Sequence, residues 1–117
     1  MGTKIILCIC CLYLNACAIS SNTLTVPENE KKYAVAYCLS NSYPDSAFSK
    51  DAGYIAGAYL EKGNFGLDMY EGIREFVSSY REKSYVSKHD RNLKIMQCID
   101  LFESKELEQL IENTSNI

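Results

Sequence analysis

Two cysteines and one histidine are the residues in this chain best suited to nucleophilic chemistry. A thiol beside an imidazole would make a nucleophile and base pair, and Cys38, Cys98 and His89 are the candidates. The remaining four of the six cysteines fall within the first eighteen residues, MGTKIILCICCLYLNACA, which read as an export signal: Lys4, an apolar run over 5–14, then Ala16 and Ala18 in an A-x-A arrangement. That run is too short to cross a bilayer as helix. Two processing routes fit: cleavage after Ala18, or use of Leu14-Asn15-Ala16-Cys17 as a lipobox that leaves lipid on Cys17. A retained, buried N-terminal helix is the remaining alternative.

Export changes what the remaining pair means, because disulfides persist outside the reducing cytosol. Cys38 and Cys98 are therefore expected to be bridged; the alternative is two buried thiols, which would reopen a Cys–His enzyme. A bridged pair leaves no nucleophile, base and orienter set for acyl transfer. Zn²⁺ sites need several Cys or His at close spacing, and the chain has neither those nor an EF-hand or phosphate-cradling glycine motif, so no catalytic, metal or cofactor residues are expected. Asn113-Thr114-Ser115 is a formal glycosylation sequon in a polar tail.

Charge narrows the partners. Without Lys4, eleven of the twelve Lys and Arg face fifteen Asp and Glu, a formal −4, and no basic block could neutralise a run of phosphates. Nucleic acid is not an expected partner. Trp is absent, while eight of nine Tyr lie beyond the signal, a residue common at interfaces and at core boundaries.

The elements that must hold these residues are helical. Residues 19–29 form a polar arm, 30–113 a helical domain and 114–117 a polar tail. A first helix runs from Glu28 or Glu30 to about Asn41, with Val35, Cys38 and Leu39 inward, and ends before Pro44. A second starts near Asp45 or Ser46 as cap and puts Phe48, Ala52, Ile55 and Tyr59 on one stripe, with Gly63 as a left-handed stop. Gly53-x-x-x-Gly57 would let another helix approach closely. The third helix, over 65–83, has the clearest period: Met69, Ile73, Phe76 and Tyr80, widened by Tyr70 and Val77. Ser87-x-x-Asp90 is a capping box leading into a fourth over 90–102, with Ile95, Cys98, Ile99 and Phe102 inward. Ser104 caps a last helix bearing Leu107, Leu110 and Ile111. The expected fold is an all-α bundle of four to five helices with one disulfide tying the first to the fourth.

Two surfaces remain for function. Asp68, Glu71, Glu75 and Glu82 align along the third helix, a stripe that suits a cationic partner and equally an ordinary solvated face. The loop over 84–91 mixes Tyr85 and Val86 with Ser87, Lys88, His89 and Arg91, a combination suited to insertion into a cleft and also found in plain surface loops.

The block DSAFSKDAGYIAGAYLEKGNFGLDMYEGIREFV, then IMQCIDLFESKELEQLI, resembles the immunity proteins that protect bacteria from type VI secretion amidase effectors, in the family paired with the fourth group of those amidases. The resemblance spans Tyr33 to Ile111. It is carried by Asp45-Ser46-Ala47-Phe48 with Lys50-Asp51-Ala52, by Tyr59-Leu60-Glu61, and by Cys98-Ile99-Asp100-Leu101-Phe102 with Ser104-Lys105-Glu106-Leu107. It implies an exported, non-enzymatic homodimer that binds a papain-like amidase of peptidoglycan stems, two effectors per dimer, with a loop blocking the amidase cleft and a helical face adding contact. Cys38 and Cys98 match the family's paired cysteines; Cys17 departs from it. The partner residues implied are Tyr85, Val86, Ser87, Lys88, His89 and Arg91 of the loop, with Glu71 and Glu75 of the third helix. A different class, a small periplasmic helical module for a ligand or envelope component, would require an apolar cavity of a few hundred Å³, which a tightly packed bundle lacks.

Overall fold

Helix α1 (Glu28–Ser40) is the element around which the others assemble; it touches every other helix. The computed structural model describes residues 26–81, 85–86 and 88–116, so the expected signal, Cys17, Glu82 and Ser87 lie outside the described residues. The other helices are α2 (Ala47–Lys62), α3 (Leu67–Arg81), α4 (Lys94–Leu101) and α5 (Lys105–Ser115), with α3 also packed on α5. No strand occurs among the described residues; the one β-type pairing is an isolated antiparallel bridge between Val86 and Asn92. The all-α expectation holds.

Pro27 stands at the N-cap of α1, where its missing N–H costs nothing, and the first turn carries Glu28 and Glu30 where the helix dipole favours negative charge. Its burial is broader than the expected inward set of Val35, Cys38 and Leu39. Glu30, Tyr33, Ala34, Ala36 and Cys38 are buried, while Val35 and Leu39 are half-buried. A helix enclosed by partners has no single apolar face, so periodicity understates what it buries. Tyr33 meets Tyr70 edge to face at 5.0 Å, and Arg74 donates to the Tyr33 hydroxyl at 3.1 Å.

Ser46 caps α2, its hydroxyl accepting from the Ser49 N–H at 3.0 Å; Asp45, the other cap candidate, instead takes the left-handed turn at φ 63°. The expected α2 stripe is corrected. Ala52 and Ala56 are buried and Tyr59 is half-buried, but Phe48 and Ile55 are exposed. The small alanines bring α2 close to α1, which leaves the bulkier residues of the stripe at the edge of the contact. Gly53 and Gly57 face open space and mediate no helix approach.

Gly63 is not a left-handed stop: its backbone is extended, with φ −71° and ψ 151°. Glycine fits here because a Cβ would lie 1.5 Å from the Tyr70 hydroxyl oxygen. That hydroxyl donates to the Glu30 carboxylate at 3.0 Å, fixing the α2–α3 turn over the start of α1. Burial, then the neighbouring Glu30, push the Tyr70 hydroxyl up to about 12.

The α3 stripe is as expected, with Met69, Tyr70, Ile73 and Val77 buried and Phe76 and Tyr80 half-buried. α4 departs most. It starts at Lys94 rather than Asp90, and Leu93 stands at its N-cap with no side-chain cap, so the expected capping box does not start this helix. Its inward face is Gln97, Cys98 and Leu101; Ile95 and Ile99, expected inward, are exposed. Ser104 caps α5 by accepting from the Leu107 N–H at 3.3 Å. α5 buries Leu107 and Ile111 and continues through Thr114 and Ser115, into the stretch expected as a tail.

Candidate functional site

Cys38 and Cys98 are bridged, with Cα atoms 5.5 Å apart, and both are fully buried. The thiol of the Cys–His alternative is therefore absent, and His89 lies in an exposed loop. Among the described residues no His, Cys, Asp and Glu group could hold a metal ion, and no helix is long and apolar enough to cross a membrane. What the domain offers a partner is three surface features.

The carboxylates Asp68, Glu71 and Glu75 are exposed along α3. Glu71 makes a 4.0 Å contact with Arg74, whose guanidinium is also engaged with Tyr33. Arg81 is turned to the carbonyl of Asn41. The two arginines thus serve the core side of α3, and the outward stripe keeps its negative character. Glu75 lies six residues before the end of α3, roughly 9 Å along the helix axis from its last residue.

The loop between α3 and α4 has a tied base. Val86 pairs with Asn92, and the Leu93 N–H donates to the Tyr85 carbonyl at 3.1 Å. Tyr85 is half-buried and its hydroxyl donates to Asp100 of α4, whereas Val86, Lys88, His89 and Arg91 are exposed. The hydrogen bond to Asp100 raises the Tyr85 hydroxyl above its usual range; Tyr80, raised chiefly by burial, also feels Asp100. At the tip Asp90 adopts φ 55°, a left-handed conformation that Asp tolerates better than most residues. The structure therefore divides the sequence candidates: Tyr85 faces α4, and Val86, Lys88, His89 and Arg91 face outward. Below the loop lies a cleft of about 140 Å³ lined by Ser42, Arg81, Tyr85, Val86, Lys94 and neighbours.

The third feature was not legible as a site. An open groove of about 470 Å³ runs between α1, α2 and the end of α4, lined by Val35, Leu39, Ile55, Tyr59, Ile99 and Phe102, with Lys32, Asp100 and Glu103 among its charged residues. Ile95, Met96 and Phe48 add further exposed apolar surface on α4 and α2. The space is an open surface groove and not a cavity enclosed within the packed bundle. A signal for it existed: Ile99 follows Cys98 by one residue, about 100° around the helix, so once Cys98 is bridged to α1 Ile99 is turned from that face.

These features define a disulfide-stapled helical domain that presents shaped surfaces to a macromolecular partner. The comparisons give the class its family. The model of Tai4, the type VI secretion system (T6SS) amidase immunity protein family, matches residues 28–111, and the chain belongs to that family. Similar solved structures include a chain of the effector–immunity system Tae4/Tai4 from Salmonella typhimurium, 33% identical with a TM-score of 0.66, covering 73% of this chain and 84% of that one. Another belongs to work on new type VI-secreted toxins and self-resistance proteins in Serratia marcescens, 26% identical with a TM-score of 0.66, covering 77% and 76% respectively. No curated protein matches.

Proposed function

We propose that this chain is a periplasmic immunity protein that binds a type VI peptidoglycan amidase effector and blocks its cleft sterically, with no catalysis of its own. The observation that carries the reading is the family match over 28–111, the whole of the folded domain apart from the ends of its sequence. The bridged cysteines and the buried Glu30–Tyr70 pair support it, because they spend the domain's reactive and buried ionisable groups on structure. Val86, Lys88, His89 and Arg91, with Ser87 between them, are the proposed cleft contacts; Glu71 and Glu75 of α3 are the proposed second contact. Residues 1–18 act as the export signal, with Cys17 lipidated if the lipobox is used.

A homodimer that carries two effectors completes the proposal, and the groove is the surface we assign to the second copy. A two-fold interface places the same patch on both partners. This patch suits that arrangement: apolar residues form its floor, and Lys32 on one side faces the sign of Asp100 and Glu103 on the other. The groove also supports the ligand-binding module, the second reading, but its openness onto the exposed Ile99 and Ile55 suits a protein surface better than an enclosed small molecule.

The test is inhibition of the amidase of the same genome on peptidoglycan fragments by the exported form, with light scattering on the mixture. Stoichiometric inhibition in a particle of two copies of each chain is expected. No inhibition and no complex would reject the immunity reading and leave the groove to a ligand.

A further inference from the structure

We propose that Tyr85 is a positioning residue: its hydroxyl, held by Asp100, latches the base of the α3–α4 loop onto α4, so that the loop meets the effector already in its binding arrangement. The inference rests on the reading of that loop as the amidase contact. Tyr85 is the loop residue that turns inward while Val86, Lys88, His89, Asp90 and Arg91 face out. It is tied twice, by side chain to Asp100 and by its carbonyl to the Leu93 N–H, and the next residue is bridged to Asn92.

The latch has a rigid anchor. Asp100 lies two residues beyond Cys98, whose bridge to Cys38 fixes α4 on the central helix. Both feet of the loop are held to the turn that follows α1: Arg81, the last residue of α3, donates to the Asn41 carbonyl, and Lys94, the first of α4, donates to the Ser42 carbonyl at 3.3 Å. Gln97 completes the tie by donating to the Tyr80 carbonyl at 2.8 Å. With its feet fixed, the Tyr85–Asp100 bond adds a side-chain tie between the start of the loop and α4. Affinity falls by the fraction of molecules that hold the competent arrangement, so loosening the latch lowers binding without removing any contact to the amidase.

The experiment compares Tyr85→Phe, Asp100→Asn and Arg91→Glu in the exported form, reading effector association and dissociation rates, amide exchange at Asn92 and Leu93, and Tm. Tyr85→Phe keeps the ring and removes the donor. It is expected to slow association by about tenfold, as when nine-tenths of molecules leave the competent arrangement, and to speed exchange at Leu93 with Tm little changed. Asp100→Asn keeps an acceptor and should stay near the parent. Arg91→Glu, a contact variant, should speed dissociation. Unchanged binding by Tyr85→Phe with loss in Arg91→Glu would overturn the latch and keep the loop as the site. Weaker binding without faster exchange would make Tyr85 a direct contact, which also overturns it. A large fall in Tm would make the tie structural and overturn it too. If neither Tyr85→Phe nor Arg91→Glu changes binding, the assignment of the loop itself fails.

Discussion

Removing one oxygen, in Tyr70→Phe, should cost this domain a large part of its stability. The Tyr70 hydroxyl is buried and donates at 3.0 Å to Glu30, a carboxylate that is only 2% exposed. A hydrogen bond to a charged group is worth about 1.5–3 kcal/mol, and a buried acceptor left without its donor raises the cost further. A loss of about 2–3 kcal/mol follows, which for a domain of this size lowers Tm by roughly 10–20 °C. The pH dependence gives an independent reading. The hydroxyl is raised from 10 to about 12, so it favours the folded state fully below pH 10 and loses that contribution as pH rises through 12. Urea melts at pH 8, 10, 11 and 12 should show the parent losing about 2 kcal/mol more than Tyr70→Phe over that interval. Gly63→Ala supplies the geometric control. Its Cβ would collide with the same hydroxyl oxygen at 1.5 Å, and with that oxygen gone the nearest contacts relax to 2.8 and 2.9 Å. The double variant should therefore be more stable than the sum of the singles by about 1 kcal/mol or more. Additive losses, or a Tyr70→Phe cost below about 0.5 kcal/mol, would refute the Glu30–Tyr70–Gly63 clamp.

Reducing Cys38–Cys98, or replacing both cysteines with Ala, should remove about 4 kcal/mol, the chain-entropy value for a loop of 60 residues, read by urea melts with and without reductant. Ser46→Ala should cost about 1 kcal/mol through the lost cap on α2, read the same way. Ile99→Asp, at an exposed groove position, should leave Tm near the parent and shift light scattering from the proposed dimer to monomer. An unchanged mass would move the dimer contact off the groove.

The residues that fixed the backbone locally were the legible ones. Ser46 and Ser104 cap as their types demand, and the α3 period faces the core because that helix has one buried side. The pairing of Cys38 with Cys98 followed from the expected compartment. What failed needed tertiary knowledge. Glu30 reads as a solvated first-turn acid, and only Tyr70, forty residues on, makes its burial tolerable. Ile95 and Ile99 read as core because they are apolar at helical spacing, yet α4 is rotated to bury Gln97, Cys98 and Leu101 and leaves both exposed. The same rotation hid the groove. In the loop, residue types nominated the segment, but which side chain faces inward depends on Asp100, which lies on the next helix.

The central place of α1 sets an order on biogenesis. The helix is made first, yet its partners arrive last: Cys98 for Cys38, and Glu108 for Lys31, whose ammonium pairs with it at 3.0 Å and sits 4.4 Å above the Phe102 ring. The α1–α2 hairpin can form early, but the sides of α1 that meet α4 and α5 stay uncovered until the final helix has left the ribosome. A chain stopped before Lys94 lacks the other half of its staple and the helix that covers Cys38, so no N-terminal fragment reaches the finished state. Folding is thereby deferred to the end of synthesis, the condition that the proposed export would require of a chain still to be threaded through a narrow pore.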